Sequence, residues 1–188
     1  MKLTKGDNMN LNTKDLIICA IFSSITAILA QIAIPIPFST VPLTMQVFAV
    51  CISGIILGAK RGFISMLIYV LLGAIGIPVF AQMSGGIGII FGYTGGFIMA
   101  FPIMSLVIGY VSEKYNKIIY IVLVMILSLV INYTIGTAWY SIVSGVGFKE
   151  GFMVCVAPFI FVDFIKIALV ITIGTTVKKR LKKEVFAC

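Results

Sequence analysis

Apolar residues along this chain gather into runs at about 16–34, 43–59, 62–79, 88–111, 118–143 and 153–177, broken by charges or by clusters of glycine and proline. A helix needs roughly 20 consecutive apolar residues to cross a bilayer, so each run reads as one span. The runs at 43–59 and 62–79 are the short ones. The runs are apolar all round, which is how helices surrounded by lipid and by each other look. The expectation is an all-α integral membrane protein, a bundle of six transmembrane helices forming a single membrane domain over residues 1–188.

The basic residues fall at every second interruption of this pattern. Lys2, Lys5 and Lys14 precede the first run, Lys60 and Arg61 separate the second from the third, Lys114 and Lys117 separate the fourth from the fifth, and a tail at 178–188 opening with KKRLKK follows the sixth. Six alternating helices put all of these on one side, and the positive-inside rule makes that side the cytoplasm, with both termini there. The opposite loops, near 35–42, 80–87 and 144–152, carry only Lys149 as a basic residue. Trp139 falls near the outer end of the fifth run, where interfacial aromatics gather. The expected location is the cell membrane, as a multi-pass protein.

Composition strengthens this picture and removes other classes. The 188 residues are 61% hydrophobic and 11% charged, with a mean hydropathy of +1.18; soluble domains are roughly 45–50% apolar. The net charge of +8 is accounted for by topology, with the basic tail free to rest on anionic headgroups, and it makes no case for nucleic acid. No histidine is present, and Cys19, Cys51, Cys155 and Cys188 form no metal-ligand spacing, so no metal site is expected. The polar first fifteen residues lack a cleavable signal pattern. Gly86 and Gly88 are followed by Phe91 where GxGxxG requires glycine, and no GxxxxGK[ST] occurs, so the chain has no P-loop of its own for ATP hydrolysis.

Two outer loops and two helices carry the candidate chemistry. The segment IPIPFSTVPLTMQ (34–46) holds Pro35, Pro37 and Pro42, which favour an extended path, and IPVFAQMSGGIGIIFGYTGG (77–96) is glycine-rich with Gln82, Ser84 and Thr94. Together they form the mouth of an outward-opening pocket. Asp163 and Lys166, three residues apart, share a helix face with Cβ atoms about 5–6 Å apart. Facing lipid, each would cost roughly 3 kcal/mol or more, so both turn inward. They are either a polar clamp for a ligand or an ion pair holding two helices together. Asn132, with Gly136 and Tyr140 on its face of the fifth run, either bonds a neighbouring helix or lines the pocket. Small residues recur at four-residue spacing in Gly54 and Gly58, Gly92 and Gly96, Ala20 and Ser24, and Ser23 and Ala27. The first-run stripe is the one suited to receiving another membrane subunit.

The motifs IPIPFSTVPLTMQ, GIPVFAQMSGGIG and FGYTGGFIMAF, and the D-x-x-K of PFIFVDFIKIAL, resemble the BioY family, the biotin-specific substrate-binding subunits (S components) of energy-coupling factor (ECF) transporters. The resemblance covers residues 15–177. It implies a six-helix S-component fold that binds biotin from outside and partners a transmembrane coupling subunit and two ATPases, with the loaded subunit toppling in the membrane. It assigns Asp163 and Lys166 to the ligand: Asp163 to accept a ureido N–H, Lys166 to donate to a ligand oxygen. Gln46, Gln82 and Ser84 become further polar candidates, and Phe80 and Tyr93 apolar walls. Biotin is then cargo, with no cofactor and no catalytic residue. The family's docking motif, AxxxA, reads here Ala20 to Ser24, and Tyr93 stands where family members often carry proline. The rival readings are a self-sufficient secondary transporter of biotin or another small vitamin, and an intramembrane enzyme using Lys166 as base or nucleophile.

Overall fold

The computed structural model describes residues 12–184 apart from 38, 40 and 116, and leaves out the side chains of 175 and 178–184. Lys2, Lys5, Cys188 and the charged groups of the basic tail lie outside the described residues. Helix α1 (Thr13–Ala30) starts at Asn12, whose side chain accepts a bond from the Thr13 N–H at 2.8 Å while the Asn12 N–H donates to Asp15 Oδ2 at 3.3 Å. This reciprocal cap satisfies donors that a helix start leaves open. The proline-rich segment after α1 runs through two short strands, β1 (Ala33–Ile34) and β2 (Leu43–Thr44), paired antiparallel with Ala33 opposite Thr44.

Helix α2 (Gln46–Ala74) joins two of the apolar runs and reverses direction within itself. At Gly58 φ is +82° and ψ −175°, a conformation that glycine adopts without a steric penalty. Gln46 Nε2 donates to Tyr69 Oη at 2.7 Å across 23 residues of sequence, which a straight helix would separate by roughly 35 Å. A Cβ on Gly62 would lie 3.4 Å from the Gly54 Cα, so the two arms also touch near the turn. The arms, 46–57 and 59–74, are roughly 18 Å and 24 Å long, against a hydrocarbon core about 30 Å thick. Gly54 and Gly58 are therefore a contact point and a hinge rather than one packing pair.

A 3₁₀ turn (Ala81–Met83) and the one-turn helix α3 (Ile87–Ile90) lead into α4 (Gly95–Lys114). The fourth apolar run is thus broken at 91–94, where Gly92 and Thr94 interrupt it. Helix α5 (Ile118–Ser144) ends at Gly145, which takes the left-handed conformation of a C-cap. The last run is also broken: α6 (Phe148–Cys155) and α7 (Ile160–Glu184) are separated by a turn containing Pro158 and bent by 55°. By length and hydropathy, α1, α2, α4 and α5 each qualify as membrane-crossing among the described residues, and α6 with α7 makes a fifth, bent crossing.

Helix α2 lies between α1, α4 and α7, and α4 and α6 flank α5. Tyr69, Met66, Met104, Ile108 and Met125 fill the core, while Ile17, Ile21 and Ile28 of α1 and Leu123 and Leu127 of α5 point outward. One end of the bundle gathers Lys14, Lys60, Arg61, Lys114 and Lys117, with Lys149 at the other: Arg61 bonds Asp15 at 2.8 Å, and Glu113 accepts from the Ala59 N–H at 3.1 Å beside the Gly58 turn. The proline- and glycine-rich loops lie at the opposite end, where Gln31 reaches Phe80 and Tyr93 packs on Tyr140.

Candidate functional site

The loop end of the bundle encloses a cavity of about 350 Å³. That is within the roughly 300–1,000 Å³ of small-molecule sites. Its upper wall comes from the two loops the prolines and glycines shape. Gln31, at the end of α1, holds the second loop from behind: its Nε2 donates to the Phe80 carbonyl at 3.0 Å and its Oε1 accepts from the Met83 N–H at 2.8 Å. The clamp acts on a strained stretch, because Gln82 and Met83 both have positive φ, +58° and +54°. The side walls are apolar, built from Val47, Ile89, Phe97, Ile98, Phe101 and Phe159.

The polar groups converge from α5 and α7. The break before α7 places Asp163 in the first turn of the new helix, where the helix dipole favours a carboxylate. Lys166 Nζ lies 2.6 Å from Asp163 Oδ1, and the Tyr133 hydroxyl donates to Asp163 Oδ2 at 2.5 Å. Asp163 and Lys166 are 3% and 4% exposed, so the pair sits in protein rather than lipid or water. Charge-assisted bonds to both carboxylate oxygens compensate its desolvation, and one turn of helix fixes the ammonium beside the cavity.

All seven sequence-derived ligand candidates line this one cavity: Gln46, Phe80, Gln82, Ser84, Tyr93, Asp163 and Lys166. They differ in what they have left to offer. Gln46 is engaged, its Oε1 accepting from Thr44 Oγ1 at 2.9 Å and its Nε2 donating to Tyr69. Ser84 Oγ donates to the Ala81 carbonyl at 2.6 Å. Phe80 is buried edge-on against Tyr69, with its ring over Gly73, where a Cβ would overlap it. Gln82 and Tyr93 are exposed at the mouth. Among the described residues no three His, Cys, Asp or Glu side chains converge as metal ligands.

The sequence matches the model of the BioY family over residues 4–183. This chain belongs to the BioY family. It is 43% identical to the "Probable biotin transporter BioY" of Pyrococcus horikoshii over 87% of this chain and 96% of that one, and 37% identical to "Biotin transporter BioY2" of Lactococcus lactis subsp. cremoris over 90% and 94%. Its fold superposes with a TM-score of 0.83, at 26% identity and over 93% of this chain and 95% of the other, on the crystal structure of the S-component for biotin from an ECF-type ABC transporter.

In this BioY chain, Asn132, expected either against a neighbouring helix or in the pocket, lies in the cavity wall, and Tyr133 of the same wall is absent from the sequence-derived set. Tyr133 holds the second oxygen of Asp163, and Asn132 lies beside it. A tyrosine in mid-span whose hydroxyl needs a partner was the available signal. The small-residue stripe of α1 divides: Ala20 and Ser24 are exposed, whereas Ser23 is 2% exposed and Ala27 packs against the core. Ser23 and Ala27 therefore face into the bundle, a correction to the four-residue docking surface. Ser24 Oγ is bonded to the Ala20 carbonyl at 2.9 Å, so that face presents little free polarity. Trp139 is likewise tied down: Nε1 donates to the Gly92 carbonyl at 3.0 Å, bracing the glycine-rich loop.

Proposed function

We propose that this chain is the biotin-binding membrane subunit of an ECF-type transporter, and that it works with a transmembrane coupling subunit and ATPase subunits to import biotin across the cell membrane. Family membership, the names of its relatives and the likeness to the biotin S-component support the ligand and the assembly. The observation that carries the reading is the Tyr133–Asp163–Lys166 cluster buried against an apolar cavity of small-molecule size. Biotin matches it chemically: an apolar ring and aliphatic chain for the aromatic walls, and a ureido group and carboxylate for the polar cluster. Lys166 Nζ, with three donors and one of them on Asp163, supplies a hydrogen bond to a ligand oxygen. Gln82, Ser84, Gln46, Tyr93 and Phe80 form the mouth and wall that close over the ligand. The chain itself performs no bond chemistry in this reading; energy comes from the ATPases.

The topology belongs to the same proposal. The two arms of α2 count as separate crossings, giving six with the bent α6–α7 span. The end carrying Lys14, Lys60, Arg61, Lys114 and Lys117 faces the cytoplasm, with both termini, and the cavity opens outward. Ala20 and Ser24 form the contact to the coupling subunit. The deciding experiment is equilibrium titration of the purified protein with biotin: saturable binding that weakens in Asp163→Asn and in Lys166→Ala is expected. Wild-type protein that binds no biotin refutes the function, and unchanged affinity in both variants refutes the site.

A further inference from the structure

Among the described residues, the buried side-chain oxygens with no hydrogen-bond partner are those of Ser23, Ser128, Asn132, Thr137 and Ser141. Asn132 is the member of this group that lines the cavity. It is 2% exposed, on the same helix as Tyr133. Asparagine is a poor residue for a helix interior, and a buried amide oxygen left without a donor costs free energy. The ordinary compensation inside a bundle is a bond to a neighbouring helix. No such bond reaches Oδ1 here.

Asp163, Gln46 and Ser84 are engaged in ways Asn132 is not. Both oxygens of Asp163 already accept, from Lys166 and from Tyr133. Gln46 and Ser84 are bonded within the wall. Half a turn about χ2 exchanges Oδ1 and Nδ2 of an asparagine at constant shape, so its amide offers the cavity either an acceptor or a donor. A cyclic urea presents N–H beside C=O, the complement of a primary amide.

We propose that the Asn132 amide is a specificity-determining contact that reads the ureido ring of the ligand. The inference rests on biotin being the ligand, as argued above. A residue kept without a protein partner inside the binding cavity is completed by what enters it.

The test is Asn132→Leu, close in size and without polar atoms, beside the wild type in detergent. Biotin affinity is expected to fall roughly tenfold, the loss of one or two hydrogen bonds. Desthiobiotin, which keeps the ureido group and lacks the sulfur, falls by the same factor. The thermal midpoint of the ligand-free variant stays level or rises, because an unsatisfied buried group has been removed. Wild-type biotin affinity in the variant, a loss confined to biotin, or a lowered ligand-free midpoint overturns the assignment. If the leucine variant does not fold, Asn132→Asp keeps the size but loses the N–H donors: the same loss supports the proposal and unchanged affinity overturns it. Wild-type protein that binds neither compound instead refutes the ligand itself.

Discussion

Tyr133 on α5 and Lys166 on α7 hold opposite oxygens of one carboxylate, that of Asp163, at 2.5 Å and 2.6 Å. The three side chains join two helices and form part of the cavity wall, so structural and ligand roles are superposed and have to be separated by experiment.

Removing Asp163 alone, as Asp163→Leu, leaves a buried ammonium without its counter-charge, which costs about 3–5 kcal/mol. The double variant Asp163→Leu/Lys166→Met removes both charges and is expected to be more stable than the single one, while biotin binding stays lost. Thermal unfolding in detergent with parallel biotin titration checks both halves. A double variant no more stable than the single one would show that the pair contributes little to holding the bundle.

Tyr133→Phe deletes one bond to Asp163 and keeps the ring. A hydrogen bond to a charged group is worth about 1.5–3 kcal/mol, and the expected result is a biotin affinity lowered roughly ten- to hundredfold. Isothermal titration of the variant decides it, and affinity equal to wild type would make the hydroxyl a bystander.

Gln31→Ala releases the strained turn at Gln82 and Met83 without touching the cavity's polar cluster. Biotin dissociation is expected to accelerate several-fold, because affinity differences among variants of one site reside mostly in the off-rate. Stopped-flow displacement of bound biotin measures it. An unaltered off-rate would mean the loop is held by its own packing.

Ala20→Trp and Ser24→Phe place bulk on the exposed face of α1, and both are expected to abolish biotin uptake in cells while leaving binding to the isolated subunit intact. Ser23→Phe, aimed into the bundle, is expected instead to lower thermal stability. Normal uptake by both outward variants would remove this face as the docking surface.

Much of the molecule was legible from residue order because a bilayer imposes simple rules. Asp163 and Lys166 announced themselves, since charge in an apolar run must turn inward, and among the described residues Lys14, Lys60, Arg61, Lys114 and Lys117 fall at one end of the bundle. What residue order hid was backbone geometry. The reversal between the second and third runs was expected at Lys60 and Arg61, but the structure makes it at Gly58, on one residue with positive φ, with helix on either side. The break at Pro158 was also missed, because a single proline in an apolar run signals either a kink or nothing. It moves Asp163 from mid-helix to a helix start. Tyr133 escaped notice because its role depends on α7 lying beside α5, a tertiary fact.

The first arm of α2 has consequences for biosynthesis. From Phe48 to Val50 and at Cys51, Ser53 and Ile55 it is buried by its neighbours, so lipid is not its solvent in the finished protein. Its short length and its Gln46 and Ser53 are tolerated because other helices sheathe it. During synthesis those helices are not yet present, and this stretch emerges ahead of α4, against which Ser53 and Ser105 pair at 2.8 Å. Stable insertion of the hairpin should therefore wait for α4. Nascent chains halted before residue 95 should leave residues 46–74 open to modification from the aqueous side, and chains released past residue 114 should protect them.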